Sequence, residues 1–567
     1  MQQTLTIGLS TLTIFLVVVL SLSLYVTVIR FADAQQQTPK GTTDELVTYE
    51  KKSNFIKEFR VPMEERGLRG ITTDSQGNAW FLHSTNKTSI IIKLEPDSGK
   101  FTQYPVNGET VADNPVINLA AAQLVFDKER NAVWFTDARV NSIGRLDVAS
   151  GQVRLWLIPT ENAGPMGIVP SPDGYSLWFA EIIGNKIASF DIQSEKLVEY
   201  PTGEDSGPAL LTFDEKGQIW VSLSFSDSIM LVQPWALVPN STSSPGMTMM
   251  SVPKPDRFSP FGIAVTGDKV YFSDHGSSRV IVASVNADLQ SYDLYWTSSS
   301  ASSALLSTTL PGQVVADGYG NIFFPQHGGN RISEIRQEDG LMTEYDIPTG
   351  PVSTVLFLTA SDDGRRVWFT EWASNKVAYL DTSIQIPFDE QIPQQQSTIT
   401  LTKSGKASLS VLIKSKANAN SNSSSLSLSE VEVGLTGMTE SGIMGITYQS
   451  NPPRVNLQEH VSAESAIQLQ TQDNAKPGSY TVMVRVQAPE QQDSLVISRL
   501  YPIKLVLDVP QPSATTQTGE SGNTSTQLPT PFDVRDRVRA LAIAAIVGLV
   551  GFIVYRKVKR KPTQSKD

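Results

Sequence analysis

Seven copies of one aromatic strand recur along this chain, and a unit repeated at such an interval cannot bury its apolar face without neighbours of the same kind. The copies begin at Trp80, Trp134, Trp178, Trp220, Tyr271, Phe323 and Trp368, at spacings of 54, 44, 42, 51, 52 and 45 residues. These spacings match four-stranded blades. An inner strand precedes each aromatic strand, as in Gly164-Pro165-Met166-Gly167-Ile168, and an Asp/Gly turn such as Ser171-Pro172-Asp173-Gly174 joins the two. A third and an outer strand complete the unit, as in Asn185-Lys186-Ile187-Ala188 and Lys196-Leu197-Val198-Glu199-Tyr200-Pro201. The Trp and Phe of each copy alternate between strand faces, so they are read as core between neighbouring blades. The seventh copy lacks its outer strand, while Phe55 to Pro62 is an outer strand with no blade before it. Pairing the two closes a ring and removes exposed sheet edges.

The expected fold is all-β: a seven-bladed β-propeller over residues 54–390, closed by the N-terminal strand. After residue 395 short alternating segments take over, among them Ala407–Lys414, Val431–Leu435 and Ser479–Ala488. They read as an Ig-like β-sandwich over 395–508. His460, in a polar stretch there, reads as solvated surface.

The ends point to a membrane. Leu5 to Ile29 carries no charge and is followed by Ala32-Asp33-Ala34, a small-residue cleavage pattern, so 1–34 is a signal peptide or an uncleaved anchor. Residues 509–534 form a Ser/Thr/Pro-rich stalk. The uncharged stretch from Ala540 to Tyr555, extended back to Val538 by the stem of Arg539, reads as a transmembrane helix over 538–555. The basic tail 556–567 then stays in the cytoplasm, which places the propeller and sandwich outside the cell in a single-pass arrangement. Sequons at Asn86, Asn240, Asn422 and Asn523 permit glycosylation. The chain has no Cys, which excludes disulfides, thiolate zinc sites and thiol catalysis. Its net charge is −11; subtracting the +5 of the tail leaves −16 before it, which argues against nucleic acid as a partner.

The units from Gly164 to Ile187 (GPMGI…DG…LWFAEIIGNKI) and from Val367 to Val377 (VWFTEWASNKV) resemble blades of the streptogramin B lyase (virginiamycin B lyase) family, over about residues 54–381. The resemblance implies a seven-bladed propeller. It also implies a Mg²⁺-assisted elimination that opens a cyclic depsipeptide, with a catalytic His in a Pro-His-Gly-Ile element of an inner strand. That element is not matched: the corresponding positions hold Arg69, Gln123, Met166, Ala209, Phe261, Gly312 and Leu356. A general base must lie within reach of its proton, so the lyase's catalytic residues are not carried over.

One position is polar in six of the seven copies. The fourth residue of the aromatic strands reads His83, Asp137, Glu181, Leu223, Asp274, Gln326 and Glu371. Repeat symmetry sets these on one ring, where Asp137, Glu181, Asp274 and Glu371 offer oxygen ligands for Mg²⁺ or Ca²⁺. The bland alternative is a solvated polar lining, or side chains that enter the seams between blades. His275 and His327 each follow one residue later, so His83, His275 and His327 are the candidate catalytic groups, and Arg69 could pair with a carboxylate at the same opening. Three functions compete. The first is a membrane-anchored surface protein that binds or senses an extracellular small molecule, glycan or protein. The second is an exported metal-dependent lyase or lactonase-type hydrolase, and the third a structural component of the cell envelope. The anchor, the stalk and the unmatched His favour the first.

Overall fold

The computed structural model describes residues 50–508 apart from 86, 111–122, 240, 242–243, 252–257, 287–290, 299–307, 351–352, 362, 393–396, 417–429, 440, 458–461 and 490–494. Both expected membrane segments, the stalk, the tail, His460 and all four sequon asparagines lie outside the described residues. The described residues are all-β, with one turn of 3-10 helix at Pro234–Ala236. No helix among them is long and apolar enough to cross a membrane.

Antiparallel four-stranded sheets, of the kind that make propeller blades, succeed one another along the chain. Five span 68–106, 124–157, 165–201, 208–251 and 260–296. A sixth runs from Val315–Ala316 through Ile322–Gln326 and Arg331–Ile335 to Met342–Asp346. The last sheet takes three strands in sequence, Val355–Ala360, Arg366–Glu371 and Lys376–Asp381. Its fourth is Ile56–Arg60, paired antiparallel from Ile56 opposite Leu380 to Arg60 opposite Lys376. The innermost strands touch in order, and Val355–Ala360 touches Leu68–Thr73 of the first sheet.

The turn chemistry explains why Asp and Trp recur together. Asp74 caps its turn by accepting from Gln76 N and Asn78 N, and its other oxygen accepts from Trp80 Nε1 at 2.8 Å. Asp127 and Asp214 serve Trp134 and Trp220 in the same way. A buried indole needs such an acceptor. Cross-strand cations cover the ring faces, with Lys93 over Trp80 and Arg145 over Trp134. Trp80, Trp134, Trp220 and Trp368 are all fully buried.

A β-bulge interrupts the inner strand of five sheets, so that two residues face one across the ladder. The extra pairs are Arg69-Gly70, Met166-Gly167, Ala209-Leu210, Phe261-Gly262 and Leu356-Phe357. Each bulge frees backbone groups that need partners. The hydroxyl of the third aromatic-strand residue supplies them. Ser273 Oγ accepts from Gly262 N at 2.8 Å in its own sheet and donates to Gly312 O at 2.7 Å in the next. Thr136 and Ser222 make the same contacts forward, to Met166 O and Phe261 O. Thr370 donates to Arg69 O at 2.6 Å and so ties the last sheet to the first.

Beyond the ring lie two further sheets. One is Phe388–Gln391, Lys406–Ser415, Ser462–Thr471 and Ile446–Asn451. The other is built on the long strands Gly478–Pro489 and Val496–Asp508. Val433, Val484 and Leu505 of the second pack against Leu409, Val411 and Ile467 of the first in one core. Val496–Asp508 does not stay within this pair. It also pairs with the outer strand of the sixth sheet, from Met342 opposite Leu500 to Tyr345 opposite Ile497, so that one nine-stranded sheet runs through both.

Candidate functional site

Phe261 of the fifth sheet and Phe357 of the seventh have ring centroids 6.3 Å apart, although a whole sheet separates them in sequence. Bulge residues of non-adjacent sheets meet only if the bulges turn them toward the centre. Met166, Ala209 and Leu210 join them in one apolar cluster, with Ile182, Ile183, Phe225 and Phe258 from the neighbouring turns. This central floor, aliphatic and aromatic, is largely buried.

Two imidazoles stand on this floor. His275 lies 5.3 Å from Phe261 and 5.7 Å from His327, whose ring meets it edge-on. Both occupy the fifth position of their aromatic strand, where the backbone N–H returns to the residue ahead of the inner strand: His275 N to Ser259 O and His327 N to Leu310 O. The half-buried Trp372 holds that position in the seventh sheet. His275 Nδ1 contacts Pro311 O at 3.0 Å; a carbonyl only accepts, so Nδ1 carries the proton and Nε2 the lone pair. His327 Nδ1 is buried without a partner. Both residues are half-buried. That burial lowers both imidazoles, and His327, with His275 beside it, falls to about 3. They are neutral hydrogen-bonding groups at pH 7 rather than cations.

The fourth-position residues behave differently. They are at most 1% exposed, each held at the end of its own strand rather than at a shared centre. Asp274 takes Arg279 Nη2 at 2.6 Å and Ser259 N at 2.9 Å. Asp137 accepts from Arg139 N, and burial raises its carboxyl while Arg139 opposes the rise. Glu371 accepts from Ser374 Oγ at 2.7 Å and is raised well above the usual carboxylate range by burial and by Glu58. Gln326 donates to Glu344 at 2.6 Å. Leu223 is core. The expected collar of carboxylates is thus not drawn together. Among the described residues no group of three His, Asp or Glu side chains is placed to hold a metal ion. The reason is strand alternation: the fourth residue enters the sheet seam, and the fifth reaches the opening.

His83 also lies in its seam, with Nε2 donating to Glu65 O at 2.8 Å and its ring lowered by burial. It is 1% exposed and not part of the apolar floor. Arg69, half-buried on the first bulge, is lowered to about 10 by burial, which nearby Asp137 opposes. Sequence reasoning overlooked Phe261, Phe357, Ile182, Ile183 and Trp372. For Ile182 and Trp372 the signal was available in the fifth column of the repeat, but its mixed residue types disguised a shared position; Phe261 was noted only as the residue in the place of the unmatched His.

A family model described as the virginiamycin B lyase family matches residues 54–352. Solved structures with related coordinates include a streptogramin B lyase, 21% identical, covering 58% of this chain and 97% of that one at a TM-score of 0.47. Virginiamycin B lyase from Staphylococcus aureus is also 21% identical, covering 57% and 98% at 0.47. A catalytically inactive variant of that enzyme, solved with quinupristin, gives the same figures. No curated protein matches.

Proposed function

This chain belongs to the virginiamycin B lyase family, and from that premise we propose that it is a membrane-anchored, cell-surface protein whose seven sheets form a closed propeller that binds an extracellular ligand. The pair His275 and His327 over the Phe261–Phe357 floor carries the reading. The floor accepts apolar surface, and the neutral imidazoles offer an acceptor and a donor that orient what lies on it. The two sheets after the ring are an Ig-like sandwich on this reading. The stalk spaces it from a helix over 538–555, and the basic tail lies in the cytoplasm. No nucleic acid takes part.

The lyase alternative keeps one specific observation. His275 presents a lone pair at Nε2 while its Nδ1 proton is fixed by Pro311 O, the orientation a general base needs. Against it stand the lowered basicity of both rings and the missing Pro-His-Gly-Ile element.

Two measurements on the full chain separate the readings. Anilinonaphthalene sulfonate, an apolar fluorescent probe, is expected to bind the folded protein at one site, and Ile183→Asp to weaken it. Quinupristin incubated with the chain is expected to come back as the intact ring by chromatography. Time-dependent ring opening establishes the lyase and removes the binding reading. An absence of probe binding removes the floor as a ligand site.

A further inference from the structure

The open end of the sandwich holds a second site, formed where the edge strand Phe388–Gln391 faces Arg499 and Tyr501 of the opposite sheet. A cavity of about 580 Å³ lies there. Gln391, Leu412 and Glu464 stand opposite one another in a single cross-strand row along its wall. Ser410, two residues from Leu412, donates its hydroxyl to Glu464. Glu390 is the built part of the site. It is 5% exposed and lines the cavity. One carboxyl oxygen accepts from Arg499 Nε at 2.8 Å and from Tyr501 OH at 3.0 Å. The other, Oε2, is buried with no partner. Such an oxygen carries an uncompensated desolvation cost until a donor reaches it.

We propose that this cavity binds a neutral sugar unit. Each sugar hydroxyl both donates and accepts, which suits a wall that mixes a carboxyl, a carboxylate, an amide and two hydroxyls. The C–H faces of a pyranose have Leu412 and Ile392 to lie on. The volume falls in the range of small-ligand pockets. An anion would face Glu390 and Glu464, and a purely apolar molecule would leave Glu390 Oε2 as it is. Burial raises the Glu390 carboxyl against the pull of Arg499. None of these residues belongs to the opening of the ring, so the site stands whether or not the propeller binds a ligand.

Saturation-transfer NMR on the full chain with glucose, galactose, mannose and N-acetylglucosamine tests the proposal, with ethylammonium as the cationic probe. At least one sugar is expected to receive transfer. Glu464→Ala and Ser410→Ala are each expected to weaken its binding roughly tenfold, one lost hydrogen bond apiece. Three results overturn it: no transfer to any of the four sugars, transfer undiminished in both variants, or binding of ethylammonium in place of a sugar.

Discussion

Glu181 is wholly buried, and neither of its carboxyl oxygens has a hydrogen-bond partner. Its neighbour Glu199 holds the available donors, Lys186 Nζ at 2.8 Å and Thr160 N at 2.9 Å. Burial and the Glu199 charge push the Glu181 carboxyl up to about 8. The sixth sheet shows what a neutral group does in this place: there Gln326 Nε2 donates to Glu344. Folded Glu181 keeps a proton that the unfolded chain releases above pH 4.5, so stability falls as pH rises from 4.5 to 8. His327 has the opposite sign. The unfolded ring takes a proton below pH 6.5 and the folded one only near 3, so stability falls as pH drops through that window. The two slopes offset each other between 4.5 and 6.5; above 6.5 the Glu181 loss, about 1.4 kcal/mol per pH unit at most, continues, and the raised carboxyl of Glu371 acts in the same direction. The melting temperature is therefore expected to be higher at pH 6 than at pH 8. Glu181→Gln should flatten that fall by supplying the proton permanently; an equally steep fall in the variant would refute the assignment. At this scale the sequence was only half legible. It exposed the polar fourth column, but only atomic neighbours such as Arg279 and Lys186 distinguish an acid held within its sheet from one offered to a ligand.

In four of the sheets the hydroxyl of the third aromatic-strand residue, Thr136, Ser222, Ser273 or Thr370, grips the next sheet. Thr370 is the case where this grip coincides with ring closure, since its acceptor is Arg69 O in the first sheet. Thr370→Val keeps the shape and strips the donor to Arg69 O. The expected cost is about 1–3 kcal/mol in denaturant unfolding, with Thr370→Ser recovering most of it. If the Val variant unfolds like the parent, closure rests on the pairing of Ile56–Arg60 alone. Repeat arithmetic made the elements themselves readable. The Asp/Gly turns marked the hairpins, and the stray strand at Phe55 announced its pairing with the seventh copy, seen at Lys376–Asp381. The bulges were hard to read because they are a matter of register: Met166-Gly167 and Leu356-Phe357 share no side-chain chemistry, only the place where two residues meet one.

For the whole molecule, the consequential feature is the strand Val496–Asp508, which belongs to two bodies at once. The outer strand of the sixth sheet, Met342–Asp346, is buried at every residue because this strand lies along its edge. That sheet has the shortest inner strand of the seven, two residues at Val315–Ala316, so its own ladder holds it least. Side chains reinforce the join. Trp296 Nε1 of the fifth sheet donates to Thr481 O at 2.8 Å, and Asp346 accepts from Val496 N at 3.1 Å while also holding Arg331. Met483 and Leu500 complete an apolar cluster with Phe324, Ile335 and Met342. Sequence reading placed a boundary near residue 395. A shared strand leaves no trace in hydropathy, because the alternation of Val496–Asp508 fits either sheet. The seven successive sheets and the two that follow them are expected to unfold in one calorimetric transition. A chain ending at residue 392 would bare Met342, Tyr345 and an unpaired edge, and should aggregate or melt well below the full chain. Two separate transitions, with the shortened chain melting at the temperature of one of them, would mean that the shared strand adds contact without cooperativity, leaving the seven sheets to stand alone.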